Sequence, residues 1–283
     1  MQMRKKKKNI FYDRAMKKNI HFIVLAGGLQ VGSASLLIPH SLIPLGHHPM
    51  VCILIKTLLQ WDNVQVHVLV SDSHETLFQR EMRRWFPEKP VHVFASTGQT
   101  TSESILEFIK DKTWAPDHAL HVVQSNLPLL SKHALEHFMH VSASLTSAVL
   151  GVNKTKWNED RTLRNLVVQD GVVTSIEKSN FIHLGFLACC KFPLSMMQDH
   201  LPHCQDYYEM VERCEEKPWL VELKSYPIEL DSITVRTAGD KTYAEHKFME
   251  KEHADYLSQC YCIWKECRSM QARIEKLEER LKN

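Results

Sequence analysis

Leu25, Ala26, Gly27 and Gly28 close an apolar run, Ile20 to Leu25, on a double glycine. A tight turn of that kind presents successive backbone N–H groups, which can cradle the oxygens of a phosphate. The stretch "PHSLIPLGHHPM" follows at Pro39 to Met50, and the two together read as the opening of a nucleotide-binding domain. Yet Asn19 to Ile55 contains no Lys, Arg, Asp or Glu. Transfer from a triphosphate needs fixed positive charge to neutralise the leaving pyrophosphate. The expectation is a site whose shape persists with weakened or lost chemistry.

Other side chains have the types for chemistry without the spacing. His133, His137 and His140 recur at helical steps and could hold Zn²⁺, but they read better as the solvated face of a helix. His200, His203, Cys204 and Cys214 lack finger spacing, and "CYCIWKEC" falls within a helical pattern. No metal site is expected from these groups.

The eight cysteines form no framework, no apolar stretch follows "MQMRKKKKNIFYDR", and no run is long enough for a transmembrane helix. The expectation is free thiols in a reducing, cytoplasmic setting. A net charge of +2 gives no strong field toward nucleic acid or membrane, although 17 histidines can raise it in mild acid. The basic run Arg4 to Lys8 reads as a solvated tail, with a nuclear address or an RNA or acidic-lipid contact as the alternative.

The elements that must position these residues alternate. Ile20 to Leu25, "VQVHVLV", "VHVFA" and "HALHVVQ" have strand character. Between and after them lie helical patterns at Pro49 to Trp61, "SHETLFQREMRRWF" with Ser73 as N-cap, "TTSESILEFIKDK", and "SKHALEHFMHV" with Ser131 as cap. Such alternation predicts βαβ units and a parallel sheet, with ligands beyond the carboxyl ends of the strands. Those ends are Gly27-Gly28, Ser71-Asp72, Ser96-Thr97-Gly98 and Ser125-Asn126. From about Ser142 the pattern becomes mixed. Strands are predicted in "TSAVLGV", "RNLVVQDGVVTSIEK" (with a hairpin at Gln169-Asp170-Gly171), "FIHLGFLACCKF" and "KPWLVELKSYPIELDSITV". Helices are predicted in "LSMMQDHL", "DYYEMVERC" and "AGDKTYAEHKFMEKEHADYLSQ".

The ordered motifs resemble the sugar-1-phosphate nucleotidyltransferases. "LAGG" (Leu25 to Gly28) matches the opening of that family, and "PHSLIPLGHHPM" matches at its prolines, Leu42, Gly46 and Met50. "HVVQSNLPLLS" stands where the family has a strand ending in Gly-Asp. "DGVVTSIEKSN", "HLGF" and "ITVRTAGDKTYAE" echo three later segments in order, so that the resemblance covers most of residues 20 to 250. "TGQTTSESI" and "ITVRTAGD" also echo the neighbouring isoprenoid-pathway cytidylyltransferases.

The resemblance implies an α/β, Rossmann-like nucleotidyltransferase fold with a mixed central sheet flanked by helices, followed by a long C-terminal helix. It implies nucleotide binding at Leu25, Ala26, Gly27 and Gly28, and at Gly98, Thr100, Thr101 and Ser102 within Ser96 to Ser104. It implies sugar binding at Glu177, Lys178 and Gly185. The catalytic positions have changed: His40 stands for the phosphate-clamping Lys, Asn126 for the metal-binding Asp, and Arg236 falls at or near the second metal ligand. The expected protein is a degenerate nucleotidyltransferase homologue that binds a nucleotide or nucleotide-sugar, or serves as a scaffolding subunit. The alternative is an active enzyme joining a sugar phosphate or related alcohol phosphate to a nucleotide. That enzyme would use Mg²⁺, with His40 replacing the Lys and Asp72, Glu103 or Asp231 rebuilding the metal site.

Three regions are expected: a basic tail (1–18), the nucleotidyltransferase-like domain (19–250) and the C-terminal helix (251–283). On that helix Leu257, Tyr261, Trp264, Cys267, Met270, Ile274, Leu277 and Leu281 recur at three- and four-residue steps. The stripe either packs on its own domain or binds a partner, another copy of the chain included.

Overall fold

The computed structural model describes residues 19–27, 39–115, 118–152, 164–169, 172–178, 187–215, 217–222, 242, 244–250 and 270. The first strand, β1 (Ile20–Leu25), is followed by a single turn at His40–Leu42 and a two-residue hairpin, β2 (Pro44–Leu45) and β3 (His48–Pro49). Gly46 turns that hairpin at φ 58°, in the left-handed region that disfavours a side chain. Then come α1 (Met50–Leu58), β4 (Val64–Ser71), α2 (Glu75–Trp85), β5 (Val91–Ser96), α3 (Thr101–Lys110), β6 (Ala119–Gln124) and α4 (Lys132–Ala143). The second half supplies β7 (Val149–Val152), β8 (Arg164–Gln169), β9 (Val172–Lys178), β10 (Leu187–Pro193), α5 (Leu194–His200), α6 (Tyr207–Arg213) and β11 (Trp219–Glu222).

Nine strands form one sheet in the order β5-β4-β1-β6-β10-β7-β11-β9-β8. The βαβ alternation of the first half gives parallel pairs throughout, β5 with β4, β4 with β1, and β1 with β6. β10 runs antiparallel to both β6 and β7, and β8–β9 is an antiparallel hairpin, so the second half is mixed as expected. The hairpin turn residues 170–171 lie outside the described residues. So do the Arg4 to Lys8 run, Arg236, "CYCIWKEC" and nearly all of the C-terminal helix.

Period-two alternation along the strands builds two cores. Phe22, Val24, Val66 and Val68 pack on one face against Leu54 and Leu58 of α1, Phe78 of α2 and Phe138 of α4. Ile23, Leu69, Leu120 and Val122 pack on the other against Ile105, Phe108 and Ile109 of α3, with Met197 and Met210 from α5 and α6. The chain moves outward from β1 to β5 under α1 and α2, then returns to β6 over α3 on the opposite face. That change of face keeps each crossover right-handed. It also makes the gap between β1 and β6 the point where the strand order reverses, the usual place for a ligand crevice.

Ser131 caps α4, accepting from Ala134 N as expected. Ser73 does not cap α2. It lies in a tight turn, Asp72–His74, and α2 starts at Glu75 after His74, with no side-chain cap. Asp72 takes Ser73 N at 2.6 Å and thereby starts a different turn.

Candidate functional site

The carboxyl ends of β1, β4, β5 and β6 meet along one edge. At β1 the backbone is tied on both sides: Ala26 N donates to Leu69 O at 2.9 Å, and Ser125 N donates to Leu25 O at 3.2 Å. Ser41 Oγ, in the turn after the glycine loop, donates to Ala26 O at 3.3 Å. Gly27 lies against the end of β4. A Cβ there would stand 3.4 Å from Ser71 N, an ordinary contact, so close packing does not demand its glycine. Gly28 lies outside the described residues.

His40 opens the turn that Ser41 belongs to and is half-buried. Burial lowers its pKa below the ordinary 6.5, so the imidazole is neutral at pH 7. It can accept or donate a hydrogen bond there, but it offers no fixed positive charge to a phosphate.

The loop after β5 is built from its own polar groups. Thr100 caps α3 by accepting from Glu103 N at 3.1 Å. Glu103 Oε2 returns the favour to Gln99 N and Thr100 N at 2.7 and 2.9 Å, completing a capping box. Gly98 is a place where only glycine fits, because a Cβ would lie 2.8 Å from Glu103 Cβ and 2.9 Å from Ser104 N. Thr101 is half-buried in the first turn of α3. Ser102 is fully buried, donates its N–H to Gln205 O at 3.2 Å, and has no partner for its hydroxyl among the described residues. Pairing of Ser71 with Ser96 brings this loop beside the end of β4. Gly98, Thr100, Thr101 and Ser102 thus share the edge with Leu25, Ala26 and Gly27, while several of the loop amides are already engaged.

At β6, Gln124 Nε2 donates to the Tyr207 hydroxyl at 2.6 Å, and Tyr207 stacks on Tyr208 at 4.8 Å. Asn126, the next residue but one, has its side-chain oxygen buried with no hydrogen-bond partner among the described residues. The donor set is poor for Mg²⁺, which takes anionic oxygens in near-octahedral array. Asn126 offers one neutral oxygen, Glu103 is committed to its capping box, and Asp72 is exposed with Oδ1 taken by Ser73 N. No group of three His, Cys, Asp or Glu able to hold a metal occurs among the described residues. His133, His137 and His140 are all exposed on α4.

Glu177 and Lys178 end β9, where they pair with Asn165 and Arg164 of β8. β9 runs antiparallel to β11, which runs parallel to β7, so its direction carries both residues away from the edge that holds Gly27 and Asn126. Gly185 lies outside the described residues.

Two solved structures share this architecture. One is a 4-diphosphocytidyl-2C-methyl-D-erythritol synthase, 15% identical, with a TM-score of 0.56, covering 81% of this chain and 97% of its own. The other is the 4-diphosphocytidyl-2C-methyl-D-erythritol synthase of Anaerococcus prevotii, 15% identical, with a TM-score of 0.57, covering 82% of this chain and 96% of its own. The fold is that of the nucleotidyltransferases. No protein-family model matches the chain, and no curated protein does. Among the described residues, no helix is long and apolar enough to cross a membrane.

Proposed function

We propose that this nucleotidyltransferase-fold chain binds a nucleotide or nucleotide-sugar at the β1–β6 crevice without transferring it, and acts as a binding or scaffolding subunit. What carries this reading is the half-buried His40, which stands at the position of the phosphate-clamping Lys in the family that the sequence resembles. Asn126 at the acidic metal position and the lack of Lys or Arg from Asn19 to Ile55 support it. Removing one electrostatic partner of a developing charge costs roughly a hundredfold to a thousandfold in rate. Here the clamp and the metal acid are changed together. Binding is supported by the shared edge of Ala26, Gly27, Gly98 and Thr100, and by the orphan oxygen of Asn126.

An active transferase is the second reading, and both structural neighbours are synthases by name. It would join an alcohol phosphate to a nucleotide and release pyrophosphate, with Asp72 drawn into a rebuilt Mg²⁺ site. Cytidine nucleotides are the first ligands to test on either reading.

The test is pyrophosphate exchange by the full chain with Mg²⁺, each nucleoside triphosphate and a panel of sugar and polyol phosphates, run beside a thermal shift with the same nucleotides. The expected result is a raised Tm with a nucleotide or nucleotide-sugar, little dependence on Mg²⁺, and no turnover. Turnover above about 1 s⁻¹, the low end of ordinary enzymes, sinks the degenerate reading. No thermal shift at millimolar nucleotide removes the binding reading.

A further inference from the structure

A polar chain borders the crevice on the face of the sheet that carries α3 and α6. Gln124 is the last residue of β6 and pairs with Leu25, the last of β1. Leu25 packs on that face, and neighbours in register point the same way. From there Gln124 reaches α6, where its Nε2 donates to the Tyr207 hydroxyl at 2.6 Å. The residue two before Tyr207 is tied to α3, with Ser102 N donating to Gln205 O at 3.2 Å. Gln124, the start of α6 and the start of α3 thus make one continuous wall beside Leu25.

The direction of each bond in this wall is set by chemistry. Tyr207 is buried between Phe192 at 6.3 Å and Tyr208 at 4.8 Å. Burial above all keeps its phenol protonated, with a pKa well above the ordinary 10. Its O–H therefore donates, and an amide N–H cannot receive it. The Tyr208 hydroxyl, its other hydrogen-bond partner, does. The links run one way, from Gln124 Nε2 to Tyr207 and on to Tyr208. Turned over, the Gln124 amide would set its oxygen against the oxygen of Tyr207. The amide is locked, and what Gln124 presents outward is a carbonyl oxygen, an acceptor only. That oxygen has no hydrogen bond among the described residues and is not sealed from solvent, since Gln124 is half-buried. At the carboxyl end of β6, the space it meets is the crevice.

We propose that Gln124, locked by Tyr207, is a specificity-determining residue: its carbonyl oxygen accepts from a hydroxyl of the group carried by the diphosphate, so that the crevice selects a nucleotide-sugar over a bare nucleotide. The inference rests on the nucleotide-binding reading above. On that reading the nucleoside lies toward Gly98 and Thr100 after β5, and the phosphates lie at the turn after β1. The strand order β5-β4-β1-β6 then puts what the diphosphate carries toward β6. β6 is one strand spacing, about 4.8 Å, beyond β1, within reach of a group joined to the phosphates there. Glu177 and Lys178 leave this place open, because β9 carries them away from the crevice. A sugar or polyol hydroxyl is the donor that a fixed acceptor suits, and an alkyl group in the same place has none. Tyr207 does not touch the ligand. It is a positioning residue that acts through Gln124.

The test is calorimetric titration of the full chain with cytidine and uridine diphosphates, their ethyl esters, and their glucose and glycerol conjugates. A conjugate should bind about threefold to tenfold more tightly than the ethyl ester of the same nucleotide, the worth of one neutral hydrogen bond. In Gln124→Met, which keeps the length of the side chain without the oxygen, that ratio should fall to about one. In Tyr207→Phe, which keeps Gln124 but lets its amide turn, the ratio should fall as well. A purely structural role for Tyr207 would instead weaken ester and conjugate alike. A ratio near one in the unmodified chain overturns the proposal with no variant needed and leaves nucleotide binding standing. So does a ratio that Gln124→Met leaves unchanged. Failure of every compound to bind removes the nucleotide reading, and this inference with it.

Discussion

Glu107 holds Thr97 at two points: Thr97 N donates to Oε2 at 3.1 Å, and Thr97 Oγ1 donates to Oε1 at 2.9 Å. The same carboxylate accepts Ser96 Oγ at 2.7 Å. One acid in the second turn of α3 thus fixes the backbone that leaves β5 for the crevice. The Ser96 hydrogen bond is the largest of the influences that lower its pKa. The stability it lends is present above the ordinary carboxylate value and is lost as pH falls through the lowered one.

Glu107→Gln removes the charge that strengthens these bonds, and its amide keeps all three only with Nε2 turned to donate to Thr97 Oγ1. Glu107 is half-exposed, which limits the effect to about 1 kcal/mol of unfolding free energy. Denaturant unfolding should show that loss, and the nucleotide-induced thermal shift should shrink with it. An unchanged shift would mean that the loop after β5 does not touch the ligand.

Asn126→Asp would place a carboxylate where an amide oxygen is now buried without a partner among the described residues. Without metal the variant should lose about 1–3 kcal/mol, the usual cost of a buried unsatisfied polar group. If this is the old metal position, millimolar Mg²⁺ should restore the Tm of the variant and leave that of the unmodified chain unmoved. A variant whose Tm ignores Mg²⁺ would show that residue 126 does not face a metal pocket.

Much of this architecture was legible because it rests on local pattern. Period-two runs such as Val64 to Val70 and the Ser131 cap gave elements whose order implied a parallel first half and a crevice at Gly27 and Asn126. What stayed hidden depends on strand order. His21, His67, His92 and His118 are scattered in sequence and become one row only when β5, β4, β1 and β6 lie side by side. A histidine facing the same helix from successive strands is the signal that could have been sought. Ser73 misled because Asp72 beside it, also a strong turn former, takes the Ser73 N–H itself. The direction of β9, which carries Glu177 and Lys178 away from the crevice, follows from a long-range pairing with β11 that no local pattern encodes.

Lys191 of β10 reaches the end of α4, donating to Ser142 O at 2.7 Å and also to Leu145 O. Its ammonium serves Ser142 O in the last turn of α4, which also accepts from Leu145 N at 3.3 Å, and Leu145 O just beyond the helix, and burial lowers its pKa. Lys191→Met leaves both carbonyls without that donor and should cost about 1–3 kcal/mol. It should also let the pKa of His121, held at about 3 mainly by burial and next by Lys191, rise. Denaturant unfolding and an NMR titration read the two effects separately. A variant as stable as the unmodified chain would mean that the cost of burying the charge cancels the cap.

The helical residues 244–250 bear on how the chain assembles. Ala244 and Phe248 are buried with Leu45 of the β2–β3 hairpin, Met50 of α1 and Leu129. The Phe248 ring lies against the turn at Gly46, where an added Cβ would sit 3.7 Å from it. Residues 244–250 therefore pack against the first half of the chain. Beyond them the sequence carries the apolar stripe from Leu257 to Leu281, and Met270 is 55% exposed. A lone helix with such a stripe is marginal in water, so the stripe needs cover, and a second chain can supply it. Light scattering on the full chain and on a chain ending at Glu250 tests this. The full chain should associate, and the shortened chain should be a stable, soluble monomer with an unchanged nucleotide shift. Monomers in both cases, with the shortened chain much less stable, would place the stripe on its own domain and end the idea of an assembly helix.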